Sequence, residues 1–240
     1  MPPSKLPTCL SFFIIALFAA CAPIQKQLPE RKWEDIWDPT SLRTPDSLKY
    51  LLSLLDTVYK KDQYYRRFLT PKPGEEQVDY PEDLLWKKIG EWDKENLKVV
   101  EEIIAKHGFL GHKEVGLKGA TAIFMVLQHS NQATREKYLN LIEKAQKENN
   151  ILGPHYAMYV DRISKAHHKP QKYGTQLLQL GKQKPELYPL LNADSVDHWR
   201  NEIKMFQSMQ DYLKIFNLEW NVEEYKKRHE GLMRKYKVGG

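Results

Sequence analysis

The chain has 240 residues, of which 28% are charged and 41% are hydrophobic. This length suits one domain of roughly 150 residues or more with an appendage, and the composition is too apolar for a disordered protein. Acidic and basic residues alternate along most segments, so the formal net charge of +6 indicates a solvated surface and argues against a nucleic-acid-binding face.

The first 20 residues are typical of a secretory signal peptide. Their apolar run, residues 10–19, is too short to cross a bilayer as a helix, which takes about 20 residues. The sequence Phe-Ala-Ala-Cys at 18–21 resembles a bacterial lipobox, although Phe18 stands where an aliphatic residue is usual. We therefore expect a cell-envelope protein, periplasmic or surface-facing, anchored to a membrane through lipid on Cys21. The alternative is a plain signal peptide in which Cys21 is incidental.

Four prolines lie between positions 23 and 45, and we interpret residues 21–45 as a tether between this anchor and the body. The folded domain is predicted over residues 46–240. Both cysteines, Cys9 and Cys21, precede the domain, so a disulfide framework and thiolate chemistry are excluded from it. The body has no His-Glu-x-x-His motif either, and we predict neither a metal site nor a cofactor.

Apolar residues recur at helical spacing through most of the domain, which predicts a mainly α fold. In chain order, the helices are predicted over residues 46–69, 81–107, 116–130, 132–149, 154–168, 194–216 and 222–237. Gly108 is placed to end the second helix as a left-handed cap, and Asn131 is placed to begin the fourth. Residues 175–191 are predicted to form a small β-hairpin or an irregular segment.

The helix over residues 116–130 organises this prediction. From position 120 to 127 it carries only one polar residue, and a helix that is apolar on nearly all sides must be surrounded by other helices. Its last three residues are polar: Gln128, His129 and Ser130. We expect a single bundle-like domain around this buried central helix, with the polar end of the helix inside or beside the core.

Other polar side chains occur in short groups along the domain. Asp62 and Arg66 lie one helical turn apart on the first helix, and Asp161 is followed directly by Arg162 in a later helix. Together with the end of the central helix, these groups give the candidate ligand-binding residues: Asp62, Gln63, Arg66, Gln128, His129, Asp161, Arg162, Gln171, Tyr173, Thr175 and Gln176.

The order and spacing of three of these groups resemble a bacterial family known as domain of unknown function 6624. The groups are Gln128-His129, Asp161-Arg162 and the Tyr-Gly-Thr-Gln sequence at 173–176. The resemblance extends from about the first helix to Arg200, and also includes Asp93, Gly108 and Val115-Gly116. It implies a shared domain, and it brings no known reaction.

Three interpretations of the candidate residues remain open. His129 lies at a helix C-terminus, where the helix dipole favours protonated imidazole, and Asp161 or Asp62 could orient its ring. Arg162 and Arg66 could hold an anionic group. The favoured interpretation is a pocket for a polar ligand or an envelope partner. The alternatives are a hydrolase, with His129 and Asp161 as its catalytic candidates, and a purely structural network that ties the helices together.

Overall fold

We describe the protein from a computed structural model, in which residues 46–69, 81–178 and 184–239 are described. The predicted signal peptide, the lipidation site Cys21 and the tether lie outside the described residues. Among the described helices, none combines the length and the apolar character that a membrane span requires.

The fold is mainly α-helical with a small hairpin, as predicted. The helices are α1 Asp46–Tyr64, α2 Arg66–Leu69, α3 Glu82–His107, α4 His112–His129, α5 Gln132–Lys147, α6 Gly153–Ala166, α7 Val196–Glu202, α8 Met209–Lys214 and α9 Val222–Lys235. Between α6 and α7, strand β1 (Leu177–Leu178) pairs antiparallel with strand β2 (Glu186–Leu187), with Leu177 opposite Leu187.

Capping residues explain where several helices begin and end. The side chain of Asn131 accepts a hydrogen bond from the backbone N–H of Thr134 at 2.9 Å, so it caps α5 as predicted. Gly108 ends α3 with φ +74°, and its N–H donates to the carbonyl of Ile104 at 2.8 Å. Both residues satisfy backbone groups that the helix itself leaves without a partner.

The central helix α4 is buried along most of its length, as the sequence predicts. Every residue from 122 to 128 is buried. The helix begins with one turn at His112–Val115 and then breaks at Gly116, whose φ of +67° and ψ of 174° are not helical. The predicted loop over 108–115 is therefore shorter than expected, because its last four residues form this extra turn. Helix α1 packs closely against α4 where Gly119 presents no Cβ to Leu55.

The described part of the chain contains two large hydrophobic cores. The first lies between α1, α3, α4, α5 and α6, and Leu55, Phe124 and Ile142 are fully buried in it. The second is formed by the hairpin and α7–α9 around Leu190, Met209 and Leu213. Two smaller clusters accompany them: one consists of Ala157, Tyr173, Ile203 and Met205, and the other of Leu178, Tyr188 and Val238.

The prediction of a single helix over 194–216 is wrong, because the chain forms two short helices there, α7 and α8. Lys204 adopts φ +60° after α7, and Ser208 caps α8 by accepting a hydrogen bond from the N–H of Asp211 at 3.1 Å. The buried Arg200 side chain donates to the carbonyl of Gln207 at 2.7 Å and so holds the intervening turn. Phe206, which lies in this turn, is 61% exposed. The predicted helix over 46–69 is also interrupted, by a turn between α1 and α2.

Candidate functional site

Asp62 and His129 form a buried pair between α1 and α4. Their helices pack side by side, and the pair lies where α4 ends. The distance from His129 Nδ1 to Asp62 Oδ1 is 2.8 Å. The Asp62 side chain is fully buried and that of His129 is 4% exposed, so bulk water screens their interaction little.

Arg66 lies between Asp62 and Asp93, the latter on α3. Its Nη2 donates to both carboxylate oxygens of Asp93, at 2.6 and 2.8 Å, and its Nη1 donates to Asp62 Oδ1 at 3.2 Å. Gln63 completes the group, since its Nε2 donates to Asp62 Oδ2 at 2.6 Å. The guanidinium is therefore the counter-charge of two carboxylates, one fully buried and one 23% exposed.

The electrostatics of the pair favour a neutral imidazole beside an ionised carboxylate. Burial alone would raise the pKa of Asp62, but His129 and Arg66 hold it below its usual value. Burial lowers the pKa of His129, and this outweighs the attraction of Asp62. Desolvation of the cation thus opposes the helix dipole, which favours the protonated form of His129.

A neutral imidazole beside an ionised carboxylate has one favourable tautomer. Asp62 can only accept hydrogen bonds, so Nδ1 of His129 carries the proton and Nε2 carries a lone pair. Within the described ranges, no residue donates a hydrogen bond to Nε2. His129 thus offers an oriented acceptor whose basicity Asp62 supports.

Gln128 and Arg162 lie beside this pair, at the contact between α4 and α6. Arg162 Nη1 donates to the backbone carbonyl of Gln128 at 3.1 Å. The side-chain Nε2 of Gln128 donates to the carbonyl of Met158 at 3.4 Å, whereas its buried Oε1 has no partner among the described residues. Burial, together with the nearby positive charges of Arg135 and Arg66, lowers the pKa of Arg162 to about 9.

Asp161 forms a second polar group on the other side of α6. Its carboxylate accepts hydrogen bonds from the backbone N–H groups of Lys172, Tyr173 and Thr175, and from the Thr175 hydroxyl, at 2.9–3.2 Å. Burial raises the pKa of Asp161, while these donors act to lower it. The carboxylate thus binds the turn at 172–175 much as a bound anion would.

Gln171 and Gln176 belong to this second group and connect it to the hairpin. The Gln171 side chain donates to the carbonyls of Gln176 and Tyr188, at 2.9 and 2.7 Å, and accepts from the Gln176 N–H at 2.7 Å. All of these residues are buried. The Gln171 side chain therefore uses both its amide nitrogen and its amide oxygen in bonds within the chain.

The candidate residues therefore form two groups. Asp62 orients His129 and Asp161 does not, since the hydrogen-bond donors to Asp161 all lie in the turn at 172–175. Gln128 and Arg162 are placed next to the first group. Asp93 was missed as a candidate, although the sequence held a signal for it. It shares a helical face with Ile89, Asn96 and Val100, which are all buried, and a carboxylate on such a face needs a partner.

The first group also has the composition of a cation site. Asp62, Asp93 and His129 each present one ligand atom, and these atoms lie within 4.8 Å of one another. Arg66, however, bonds both carboxylates, so a metal ion would have to displace it or accept its repulsion. The arrangement is best described as a carboxylate–guanidinium–carboxylate cluster that supports an imidazole.

Comparison with known proteins agrees with the resemblance noted in the sequence. No curated protein and no solved structure matches the chain. One family model, described as a family of unknown function, matches residues 49–223, which is well over half of the chain and includes both polar groups. The chain therefore belongs to the family of unknown function DUF6624.

Proposed function

We propose that the protein binds a small polar ligand at the C-terminal end of α4, through Nε2 of His129. One observation carries this proposal: Asp62 fixes the neutral imidazole with its Nδ1–H inward, and no described residue occupies Nε2. The His129 side chain is 4% exposed, and Nε2 is not among the fully buried atoms without a partner in the described residues, so a donor group of a ligand can reach it.

The acceptor atoms without a described partner indicate which chemical groups the ligand must carry. His129 Nε2 is an acceptor, and the buried Oε1 of Gln128 is a second acceptor without a described partner. A ligand that satisfies them must supply hydrogen-bond donors, such as hydroxyl or N–H groups. Sugars, amino acids and hydroxy acids meet this requirement, and purely apolar molecules do not.

Ligand binding is testable by screening such compounds for an increase in melting temperature. For each hit, the ¹⁵N resonance of His129 Nε2 should move as it accepts a hydrogen bond, and His129→Gln should abolish the stabilisation. His198→Gln is the matched control, because the His198 side chain is 73% exposed. Hits that stabilise wild type and His129→Gln equally would contradict the proposal.

Hydrolysis is the second candidate function, and the Asp62–His129 bond favours it. A carboxylate behind Nδ1 raises the basicity of Nε2 and stabilises the imidazolium that forms when Nε2 accepts a proton. In such a reaction Nε2 takes the proton from water as the water oxygen attacks the ligand, and returns it to the leaving group. Any hit from the screen should then disappear with time, and His129→Gln should slow its turnover by about 100-fold or more. A hit recovered unchanged argues for binding alone.

We also propose that the protein is attached to a bacterial membrane through lipid on Cys21. The support is the sequence at 1–21: a short apolar run followed by small residues and a cysteine. Labelled fatty acid should be incorporated into the full-length chain and not into Cys21→Ser, with Cys9→Ser as the control. Equal label in wild type and Cys21→Ser would refute the anchor.

A further inference from the structure

Two arginines beside the site differ in how their charge is compensated. Arg66 is committed to Asp62 and Asp93 through three charged hydrogen bonds. Arg162 is half-buried, and the one described acceptor for its guanidinium is the Gln128 carbonyl at 3.1 Å. No carboxylate of the described residues lies within 4.0 Å of it. Arg162 is therefore the arginine that is free to meet an anion.

The surroundings of Arg162 carry an excess of positive charge. Arg135 also bonds a backbone carbonyl, that of Ser130, and has no described carboxylate within 4.0 Å. Charge from Arg135 and Arg66 acts on Arg162, which is part of why its pKa is lowered. Cations that are partly buried without counter-ions are unfavourable. An anion bound here would remove that cost.

The contact with Gln128 also leaves a suitable edge of the guanidinium available. Nη1 is engaged by the Gln128 carbonyl, and no described residue accepts from Nε or Nη2. These two nitrogens present parallel N–H donors, the geometry that matches two oxygens of a carboxylate or a phosphate. Met158 and Arg162 lie one turn apart on the same face of α6, and both contact Gln128 of α4.

We propose that Arg162 binds an oxyanion, either a carboxylate or a phosphate, carried by the ligand whose donor groups reach His129. This inference rests on the proposed function and narrows it, because a neutral sugar would leave Arg162 uncompensated. The substrate class is an acid or a phosphate ester that also bears hydroxyl or N–H groups.

The test compares phosphate and acetate with chloride at equal ionic strength, using the full-length chain and its melting temperature. At millimolar concentrations, one of the two oxyanions should raise the melting temperature by about 2–4 °C over chloride. The stronger one identifies the anionic group. Arg162→Gln should abolish the increase and Arg162→Lys should retain part of it, because lysine keeps the charge without the paired donors. Arg234→Gln is the control, since the Arg234 side chain is 77% exposed, and it should respond as wild type does.

Two outcomes would overturn the inference. The first is no stabilisation of wild type by either anion, and the second is an increase that Arg162→Gln and Arg162→Lys both retain in full. The first outcome needs no variant, so a folding defect in Arg162→Gln cannot hide it. The ¹⁵N resonance of His129 Nε2 separates this result from the wider proposal: if a neutral ligand moves it while neither oxyanion has an effect, the proposed function stands and the oxyanion inference fails.

Discussion

Arg66 is the residue on which the two carboxylates of the site depend. Replacing it by Met keeps the length of the side chain but leaves Asp62 buried with only His129 and Gln63 as partners. Breaking a buried ion pair costs about 3–5 kcal/mol, and we expect a loss of this size in urea unfolding. Because its pKa is lowered in the folded protein, Asp62 should also titrate at higher pH in the variant.

The neighbouring arginine provides the control for this prediction. Arg67 is exposed and lies over the rings of Tyr64 and Phe68, so Arg67→Met should cost less than about 1 kcal/mol. Combining Arg66→Met with Asp93→Asn should recover part of the loss, since one uncompensated charge is removed. If the double variant is as unstable as the sum of both single variants, Arg66 and Asp93 are not coupled.

His155 should make the stability of the protein depend on pH. Its ring is buried and stacked on Phe124 at a centroid distance of 4.0 Å, and burial lowers its pKa to about 3. The unfolded chain takes up a proton near pH 6.5 that the folded chain excludes, so this contribution to stability is present above pH 6.5 and is lost as pH falls. The loss is about 1.4 kcal/mol per pH unit between roughly pH 6 and 4.

The variant His155→Phe keeps the stacked ring and removes the titration. Its free energy of unfolding should therefore fall less steeply below pH 6 than that of wild type, when both are measured by urea unfolding at successive pH values. The exposed His198 gives the matched variant His198→Phe, which should keep the wild-type slope. Identical slopes in all three proteins would show that His155 does not remain neutral.

At the level of elements, the Asp161 carboxylate holds the turn at 172–175 against α6. Asn at this position has one acceptor oxygen in place of two, and its amide would face backbone N–H donors. We expect Asp161→Asn to cost about 2–4 kcal/mol, since hydrogen bonds to a charged group are lost and donors are left unsatisfied. Hydrogen exchange should show faster exchange at the amides of Lys172, Tyr173 and Thr175, and unchanged protection in α3.

This prediction also distinguishes a structural from a ligand-binding role for the second polar group. A stable Asp161→Asn with wild-type exchange in the turn would mean that the carboxylate is held for a ligand. Asp194→Asn, at a side chain that is 58% exposed, should change neither stability nor exchange in the turn by comparison.

Helices whose signals are local were predicted well. The cap at Asn131, the positive φ of Gly108 and the apolar run of α4 each depend on a few neighbouring residues, and each has the expected form. The break between α7 and α8 depends instead on Arg200, whose side chain reaches forward to Gln207 and across to the carbonyl of Tyr173. The spacing of apolar residues from 196 to 216 does not reveal that distant contact, so the sequence predicts one continuous helix.

At the scale of the whole molecule, the sequence predicted the residues of the site better than their pairing. Asp62, Arg66 and His129 were all candidates because polar residues on apolar faces stand out. Which carboxylate meets His129 depends on the packing of α1 against α4. This packing brings together two residues that are 67 positions apart in the sequence. Periodicity shows which face of a helix is buried, but it does not show which helix covers that face.

Gly153 packs directly against the backbone that follows α7, and its replacement should affect the fold beyond α6. It opens α6 directly beneath Ile203, the residue that follows α7, and a Cβ at this position would lie 1.8 Å from the Ile203 carbonyl oxygen. Backbone must therefore move, which costs at least about 1–3 kcal/mol by analogy with overpacked cores. Gly231, in α9, is the matched site because a Cβ there would contact nothing within 4 Å. Gly231→Ala should stabilise the protein by up to about 1 kcal/mol through helix propensity.

Urea unfolding followed by circular dichroism and by tryptophan fluorescence would check both variants. If the two cores form one cooperative unit, Gly153→Ala should shift a single transition to lower urea for both probes. Separate transitions in this variant would show that the second hydrophobic core folds independently of the first core, which contains α4, the helix that carries His129. A Gly153→Ala protein as stable as Gly231→Ala would contradict the close contact between α6 and Ile203, and with it the placement of Arg162 about two and a half turns further along α6.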